Sequence, residues 1–184
     1  MKYDIVYADP PWRFKNYSDD WNSGRPESRW VGNEYALMGA DGIESLPVAS
    51  IASDNCALFM WCTFPTIEQA FRVIKAWGFT YKTVAFTWIK TTKSEGKPAM
   101  GMGYWTRSNA EVVLLATKGH PKRVSASVGQ VIMEPRREHS RKPDVTRERI
   151  LQLMGDLPRV ELFARQSTPG WDVWGNEVDS TVSL

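Results

Sequence analysis

The chain has 184 residues, enough for one domain with a sizeable core. Apolar residues make up 42% of it and charged residues 24%, as in ordinary globular proteins. The net charge of +2 excludes a uniformly basic surface. No apolar run reaches the ~20 residues that cross a bilayer, and the chain does not open on the apolar stretch of a signal peptide. We therefore expect a cytoplasmic protein.

Buried strands and polar segments alternate in the first part of the chain. Lys2–Ala8 is rich in Val, Ile and Tyr, which predicts a buried strand. The polar stretch Arg13–Gly39 predicts a long loop, of the kind that is either functional or disordered. Ala40–Ser53 predicts a short helix with a turn, and the apolar run Ala57–Thr63 predicts a second strand.

An amphipathic helix is expected next, because Pro65 suits a first helical turn and Gly78 suits a helix end. Apolar residues recur between them at helical spacing. This spacing predicts one buried face, made of Ile67, Ala70, Phe71 and Ile74.

The second half repeats the alternation of strands and helices. A helix is predicted from Pro143 and Asp144 to Met154, with Gly155 as its end, and the C-terminal GWDVWGNE predicts a strand capped by a turn. Further strands are predicted at Phe79–Lys90, at Ala110–Thr117, within Val124–Met133 and at Arg159–Ala164. A long loop at Thr91–Thr106 is predicted between the first two of them. This order implies an α/β fold around a mostly parallel sheet, in one domain spanning residues 1–184.

Cysteine and histidine are too sparse to predict a metal site or a disulfide framework. Cys56 and Cys62 flank the apolar run ALFMW, and we expect both to be buried thiols of a reducing compartment. Nine tryptophans are many for this length, and we expect some of them to line a site.

The stretch ADPPW ends the first predicted strand with an unusual set of groups. In open α/β sheets ligands bind beyond the carboxyl ends of the strands, where Asp9 falls. Pro10 and Pro11 cannot donate backbone hydrogen bonds and hold the chain extended, so we expect their carbonyls to be free acceptors. With the flat face of Trp12, these acceptors suit a planar group that carries an NH2, such as adenine or cytosine. The alternative is a proline-terminated strand with a surface tryptophan.

ADPPW also resembles the catalytic motif of the MT-A70 family, which methylates the N6 amine of adenine with S-adenosylmethionine. Further stretches are similar to that family in the family's order: LFMWCT, AWGFTYKTVAFTWIKT, GYWTRSNAEVVLLATKG, REHSRKPDVTRERI, ELFAR and GWDVWGNE. The resemblance runs from Tyr3 to Glu177. It implies a Rossmann-like class I methyltransferase sheet with permuted motif order, in which the catalytic strand precedes the cofactor-binding strand. A Gly-x-Gly-x-x-Gly fingerprint is accordingly not expected.

The resemblance assigns the reaction to Asp9, Pro10, Pro11 and Trp12. The lone pair of adenine N6 is delocalised into the ring, so N6 is a poor nucleophile. Hydrogen bonds from N6–H to the Asp9 carboxylate and the Pro10 carbonyl would favour a more tetrahedral nitrogen, in line with the methyl group. Trp12 would stack on or beside the target base.

The resemblance also implies which residues hold S-adenosylmethionine. Lys142 is expected to pair with the methionine carboxylate, near a helix start that itself favours anions, and Asp9 is expected to face the methionine amine. Asn176 and Glu177 would bind the ribose and the adenine edge. Because the chain starts eight residues before Asp9, we expect the adenine pocket to differ from that of larger relatives and to involve GNEVD.

ELFAR is read as the end of the cofactor-binding strand. Alternate side chains of a strand face one way, so Phe163 and Arg165 are expected to share a face with Glu161. By resemblance this face meets the cofactor, and Arg165 would reach the ribose hydroxyls.

The nucleic acid is expected on the loops and on one basic segment. Lys118–Arg149 holds nine Lys and Arg against four Asp and Glu, and its Arg136, Arg137 and Arg141 predict a phosphate track rather than a merely solvated surface. Further contacts with the target are expected from Tyr35, Trp105 and Glu111, whereas His139 is interpreted as a hydrogen-bonded loop residue.

Three functions stay open at this point. Compact chains of this kind resemble bacterial and phage members, for which adenine in DNA is the expected substrate. The alternatives are the same reaction on RNA and a catalytically silent nucleic-acid-binding subunit, and cytosine N4 makes the same chemical demand as adenine N6. The target base must be single-stranded or flipped out of a duplex. The protein is expected to be a monomer or a homodimer.

Overall fold

The computed structural model describes residues 1–12, 40–94, 96–101, 103, 105–137 and 141–184. Their framework is a seven-stranded sheet in the order β5-β3-β4-β2-β1-β6-β7. The strands are β1 (Tyr3–Ala8), β2 (Ala52–Cys62), β3 (Thr80–Thr91), β4 (Ala110–Lys118), β5 (Val131–Pro135), β6 (Arg159–Leu162) and β7 (Asp172–Trp174).

The strand directions confirm the predicted α/β class with a mostly parallel sheet. β1 pairs in parallel with β2 and β6, β6 with β7, and β3 with β5. β4 runs antiparallel to both of its neighbours, β2 and β3. β1, which leads directly into Asp9, lies beside the late strand β6, in agreement with the permuted order of a Rossmann-like methyltransferase.

Helices cover both faces of the sheet, and each face has its own apolar core. On one face lie α1 (Ala40–Glu44), α2 (Val48–Ile51) and α3 (Ile67–Ala76), which contribute Ile43, Val48 and Ile74 to the first core cluster. On the other face lies α4 (Val145–Met154), which contributes Ile150 and Met154 to the second cluster. Apolar burial on both faces is typical of central strands in such folds.

The predicted helix after Pro65 is confirmed, but its buried face is shifted. A short 3-10 turn at Phe64–Thr66 leads into α3. Ala70, Val73 and Ile74 are buried, whereas Phe71 is 38% exposed and packs edge-on against Tyr81 at 4.9 Å. The apolar stripe therefore runs through Val73 instead of Phe71.

Several predicted bounds change because backbone pairing, rather than local apolarity, decides them. β2 begins at Ala52, five residues before the predicted start, because Ala52 pairs with Tyr3 of β1. Ala40–Ser53 therefore holds two short helices and the first residues of a strand. The strand predicted within Val124–Met133 lies at Val131–Pro135, and α4 starts after Asp144 instead of at Pro143.

Both cysteines lie inside the fold. Cys56 and Cys62 are free and buried, as expected, and burial raises the pKa of each thiol to about 12. Among the described residues there is no helix long and apolar enough to cross a membrane. The same residues contain no group of three His, Cys, Asp or Glu side chains that could hold a metal ion.

Candidate active site

One edge of the sheet gathers the residues that the motifs single out. The carboxyl ends of β1, β2, β3, β6 and β7 meet at this edge because these strands are parallel. The start of β4 reaches the same edge because β4 runs the other way. Asp9, Phe163 and Glu111 therefore come together from distant parts of the chain, at the place where ligands bind in open α/β sheets.

Asp9, Pro10 and Trp12 form a fixed turn directly after β1. The Asp9 N–H donates to the Leu162 carbonyl at 3.4 Å, and the Trp12 N–H donates to the Pro10 carbonyl at 2.8 Å. The expectation that the Pro10 carbonyl is a free acceptor is therefore wrong, because one of its lone pairs is already used. Pro10 is buried and Pro11 is half-buried.

The ring of Trp12 is also held in place. Its Nε1–H donates to the backbone carbonyl of Trp61, at the end of β2, with a distance of 2.7 Å. Trp12 packs at the border of the first apolar cluster and is only partly buried. It therefore combines a fixed ring with a partly open face.

A chain of four alternating charges crosses the site. Lys142 Nζ lies 3.0 Å from Asp9 Oδ2 and 3.3 Å from Glu111 Oε2. The other carboxylate oxygen of Glu111, Oε1, pairs with Nζ of Lys90 from β3. Lys142 also lies over the ring of Trp61, 5.5 Å from its centroid. Two carboxylates and two ammonium groups thus neutralise each other in a nearly closed space.

Burial and pairing shift the pKa values of these groups in different directions. Burial raises the pKa of Asp9 above its ordinary range, and the attraction of Lys142 only partly offsets the rise. Burial would also raise the pKa of Glu111, but Lys142 and Lys90 outweigh it, so this pKa lies below the usual range. Burial opposes the charge on Lys142, but Asp9 and Glu111 together raise its pKa. Lys142 and Glu111 are therefore charged at neutral pH.

A second buried network supports the site from below, on the α4 face of the sheet. The Trp61 indole N–H donates to the Tyr7 hydroxyl at 2.6 Å. The guanidinium of Arg147 lies 5.5 Å from the Tyr7 ring centroid. Arg147 also donates twice to Glu161, with both distances 2.7 Å. This network connects α4 and β6 to β1, which leads into Asp9, and to β2, which carries Trp61.

The ELFAR residues do not form the continuous strand face that was expected. β6 ends at Leu162, and Phe163 has a left-handed backbone with φ of 61°. This conformation interrupts the alternation of side chains, so Phe163 and Arg165 do not share a strand face. Phe163 is buried edge-on against Trp174, 5.4 Å between ring centroids, while Arg165 is half-buried.

The predicted ribose-binding residues do lie together. Arg165 Nε is 3.7 Å from Glu177 Oε1, and Asn176, beside Glu177, is exposed. The backbone at Gly175 packs closely against the backbone of Ala164, and only glycine permits this, because a Cβ there would lie 2.2 Å from the Ala164 carbonyl oxygen. This close contact brings the segment with Asn176 and Glu177 next to Arg165. Arg165 is also close enough to Asp9 to favour the charged form of that carboxylate.

The predicted phosphate track is partly neutralised within the protein. Arg137 pairs with Asp144, and Arg141 lies 3.1 Å from the same carboxylate. Arg147 reaches it as well, at 3.1 Å. Burial would raise the pKa of Asp144, but Arg137 and its neighbours lower it overall. The positive charge available to a nucleic acid is therefore smaller than the sequence count indicates.

The remaining predicted contacts are only partly described. The side chain of Trp105 is 94% exposed, and that of Arg136 is exposed. Tyr35 and His139 lie outside the described residues. The sequence reasoning missed Lys90, Trp61, Tyr7 and Arg147, and gave Glu111 no charged partners. A cross-strand reading of β3 against β4 would have been needed to find Lys90.

Comparisons with known proteins agree with this geometry. The MT-A70 family pattern matches residues 3–177. A type II methyltransferase, M.MunI, of Mycoplasma sp is 34% identical over 189 residues, which cover 96% of this chain and 78% of that protein. An N(6)-adenosine-methyltransferase MT-A70-like protein of Arabidopsis thaliana is 30% identical over 96% of this chain, and the human catalytic subunit METTL3 is 27% identical over 97%. The match covers 24% and 28% of those two longer proteins.

Proposed function

Since the chain belongs to the MT-A70 family of S-adenosylmethionine-dependent methyltransferases, we propose that it methylates the N6 amine of adenine in DNA. The observation that carries the proposal is the Asp9–Lys142 pair at 3.0 Å, directly after β1 and beside the fixed ring of Trp12. We further propose that residues 1–184 act as one methyltransferase domain, in the cytoplasm. Two free, buried cysteines suit that reducing compartment.

The donor set at the sheet edge fits the cofactor. Lys142 offers a cation for the methionine carboxylate, and Asp9 offers a carboxylate for the methionine amine. Arg165 and Glu177, brought together by the close approach at Gly175, offer polar groups for the ribose. When bound, S-adenosylmethionine would supply an electrophilic methyl group on a positively charged sulfur, and the S–CH3 bond would break as the N6–C bond forms, leaving neutral S-adenosylhomocysteine.

Asp9 and the turn after it prepare the target amine. Lys142 contacts Oδ2 of Asp9, which supports the proposal that the other oxygen accepts one N–H of the base. The Pro10 carbonyl already accepts from Trp12, and its second lone pair can accept the other N–H. Both acceptors favour positive charge on N6 as the new N–C bond forms. The amine proton is then released to Asp9 or to water.

The choice of DNA rests on the relatives. The match covers 78% of the type II methyltransferase M.MunI, whereas it covers about a quarter of the adenosine methyltransferases. RNA is the second candidate, because those relatives are named for adenosine. Exposed Arg136 and Trp105 would contact the phosphates and the unpaired bases. The protein would act as a monomer or a homodimer.

The test offers labelled S-adenosylmethionine with single-stranded DNA, duplex DNA and RNA of random sequence. The nucleosides are then analysed for N6-methyladenine and N4-methylcytosine. We expect N6-methyladenine in DNA and its loss in Asp9→Asn, while Asp54→Asn, at an exposed position far from the site, stays active. Label in RNA alone or in N4-methylcytosine alone would reject the proposed substrate. Cofactor binding without any product would indicate a silent subunit.

A further inference from the structure

Lys90 contacts the candidate site indirectly, through Glu111. It lies near the end of β3, and its Nζ pairs with Oε1 of Glu111. Glu111 uses its other oxygen, Oε2, for Lys142 at 3.3 Å. The side chains of Lys90, Glu111 and Lys142 are 24%, 12% and 12% exposed, so water screens these contacts only weakly.

The pairing of β3 with β4 places Lys90 where it can make this contact. Trp88 is directly opposite Glu111, which puts Lys90 diagonally across from Glu111 on the same face. The Lys90 backbone N–H donates to the Asn109 carbonyl at 2.8 Å. Its ammonium group lies 5.2 Å from the ring centroid of Trp88. Both the backbone and the side chain of Lys90 are therefore held by the rigid part of the sheet.

We propose that Lys90 is a positioning residue for methyl transfer, which holds Glu111 so that Glu111 in turn holds Lys142 beside Asp9. The inference rests on the proposed function of the site. Lys90 touches neither Asp9 nor Lys142 in the contacts described above, and it acts through the two oxygens of Glu111. Lys142 sits on a loop before α4, whereas Lys90 and Glu111 sit on paired strands. The strands thus supply the fixed reference for the loop.

The charge balance explains why the second lysine is needed. With Lys90 present, Glu111 has a cation of its own and shares Lys142 with Asp9, whose charge Arg165 also favours. Without it, both carboxylates compete for Lys142, and Glu111 keeps a nearly buried charge with a single partner. An incompletely paired buried charge is costly, so Glu111 is expected to draw Lys142 towards itself. Lys142 would then hold both Asp9 and the cofactor carboxylate less well.

The first test compares Lys90→Met with Lys90→Arg and with Lys82→Met. Methionine keeps the apolar stem without the charge, arginine restores a cation, and Lys82 is an exposed lysine on the same strand. We expect kcat/KM for the cofactor to fall about 10- to 100-fold in Lys90→Met, as for a small misplacement of reacting groups. We expect recovery of most of this loss in Lys90→Arg, and no change in Lys82→Met.

A pH profile separates positioning from a general structural role. Glu111 is faced by Lys90 from β3, by Lys142 from the loop before α4 and by Cys62 from β2, with Asp9 beyond Lys142. Removing one of its two cations raises the pKa of Glu111. The acid limb of kcat/KM should therefore move to higher pH in Lys90→Met than in the wild type. A variant that merely folds less well would lose activity without this shift.

A double-mutant cycle with Glu111→Gln tests whether Lys90 acts through Glu111. If Lys90 acts through Glu111, adding Lys90→Met to the Glu111→Gln variant should change the cofactor dissociation constant by less than about 2-fold. The reason is that Glu111→Gln has already broken the ionic contact between Lys90 and Lys142 through Glu111. Independent, multiplying effects would overturn the inference, as would a Lys90→Met enzyme with wild-type kcat/KM and pH profile. A wild-type protein that transfers no methyl group overturns the proposed function itself and this inference with it.

Discussion

The ion pair of Arg147 and Glu161 offers a quantitative test of the network below the site. We consider Glu161→Leu, which removes the carboxylate but keeps a side chain of similar size. The side chains of Arg147 and Glu161 are 12% and 8% exposed, and two hydrogen bonds of 2.7 Å join them. The variant leaves a buried guanidinium with Asp144, at 3.1 Å, as its remaining carboxylate partner.

Removing one partner of a buried pair costs about 3–5 kcal/mol. Because Asp144 still compensates part of the charge, we expect the lower end, about 3 kcal/mol. For a chain of this length, each kcal/mol lowers Tm by about 2–4 °C, so Tm should fall by about 6–12 °C. The matched control is Glu148→Leu, at an exposed position of α4, the helix that carries Arg147. This variant should leave Tm nearly unchanged.

The assay is equilibrium unfolding of Glu161→Leu, Arg147→Met and the double variant, followed by circular dichroism. Two apolar residues of similar volume can replace a buried pair at little net cost. The double variant should therefore be more stable than the sum of the single effects predicts, by more than about 1.5 kcal/mol. Additive losses would refute the argument, since they would mean that the two charges do not depend on each other.

Three further predictions concern residues around the site. Tyr7→Phe removes the acceptor of the buried Trp61 indole N–H and should cost about 1–3 kcal/mol in unfolding experiments. Trp61→Phe leaves a cavity of its own at a fully buried position, so the double variant should lose less stability than the sum of the two single losses; additive losses would contradict this. Trp105→Ala should change the free energy of unfolding by less than about 0.5 kcal/mol, since Trp105 is 94% exposed. The same variant should raise the KM for nucleic acid, and an unchanged KM would exclude Trp105 from nucleic-acid binding. The pKa of the Asp144 carboxyl is lower in the folded protein than in the unfolded chain. The ionised carboxylate therefore stabilises the fold fully at pH values above the unfolded pKa, and this stabilisation is lost as the pH falls through the folded pKa. Between pH 6 and 3 the Tm of the wild type should therefore drop more than the Tm of Asp144→Asn. Equal drops in Tm for the two proteins would contradict this role of Asp144.

The central strands could be predicted from the sequence because their signal is local. In Ala57–Cys62 every side chain is buried, on one face of the sheet or the other. An unbroken apolar run is the direct consequence, and it is visible without any knowledge of the partners. The same holds for the helix at Ile67–Ala76, where only the assignment of Phe71 to the buried face failed.

The charged part of the site could not be predicted in the same way, because its contacts join distant segments. Glu111 meets Lys90 across a pair of antiparallel strands, and it meets Lys142 through the loop before α4. Neither spacing carries a periodic pattern. The family resemblance supplied Asp9 and Lys142 as two separate contacts to the cofactor, but it could not indicate that they pair with each other or that Glu111 and Lys90 complete the charge balance.

Phe163 shows a different reason for failure. ELFAR has the composition of a strand, and a β-rich pattern favours extended backbone up to Ala164. The backbone of Phe163 is instead left-handed, with φ of 61°, which is uncommon for a residue with a large side chain. Packing against Trp174 and the hydrogen bond from the Ala164 N–H to the Trp174 carbonyl, 3.0 Å, hold it there. Tertiary contacts thus override the local preference.

The reversed direction of β4 has a consequence for how specificity can change during evolution. Because β3 ends and β4 begins at the edge that holds Asp9, the connection between them at 92–109 grows directly out of the active-site rim. Both of its anchor points are fixed by the β3–β4 pairing. The length and sequence of this segment can therefore change while both of its ends stay fixed by the strand pairing. We expect grafts of this hairpin connection to transfer sequence preference from one methyltransferase to another.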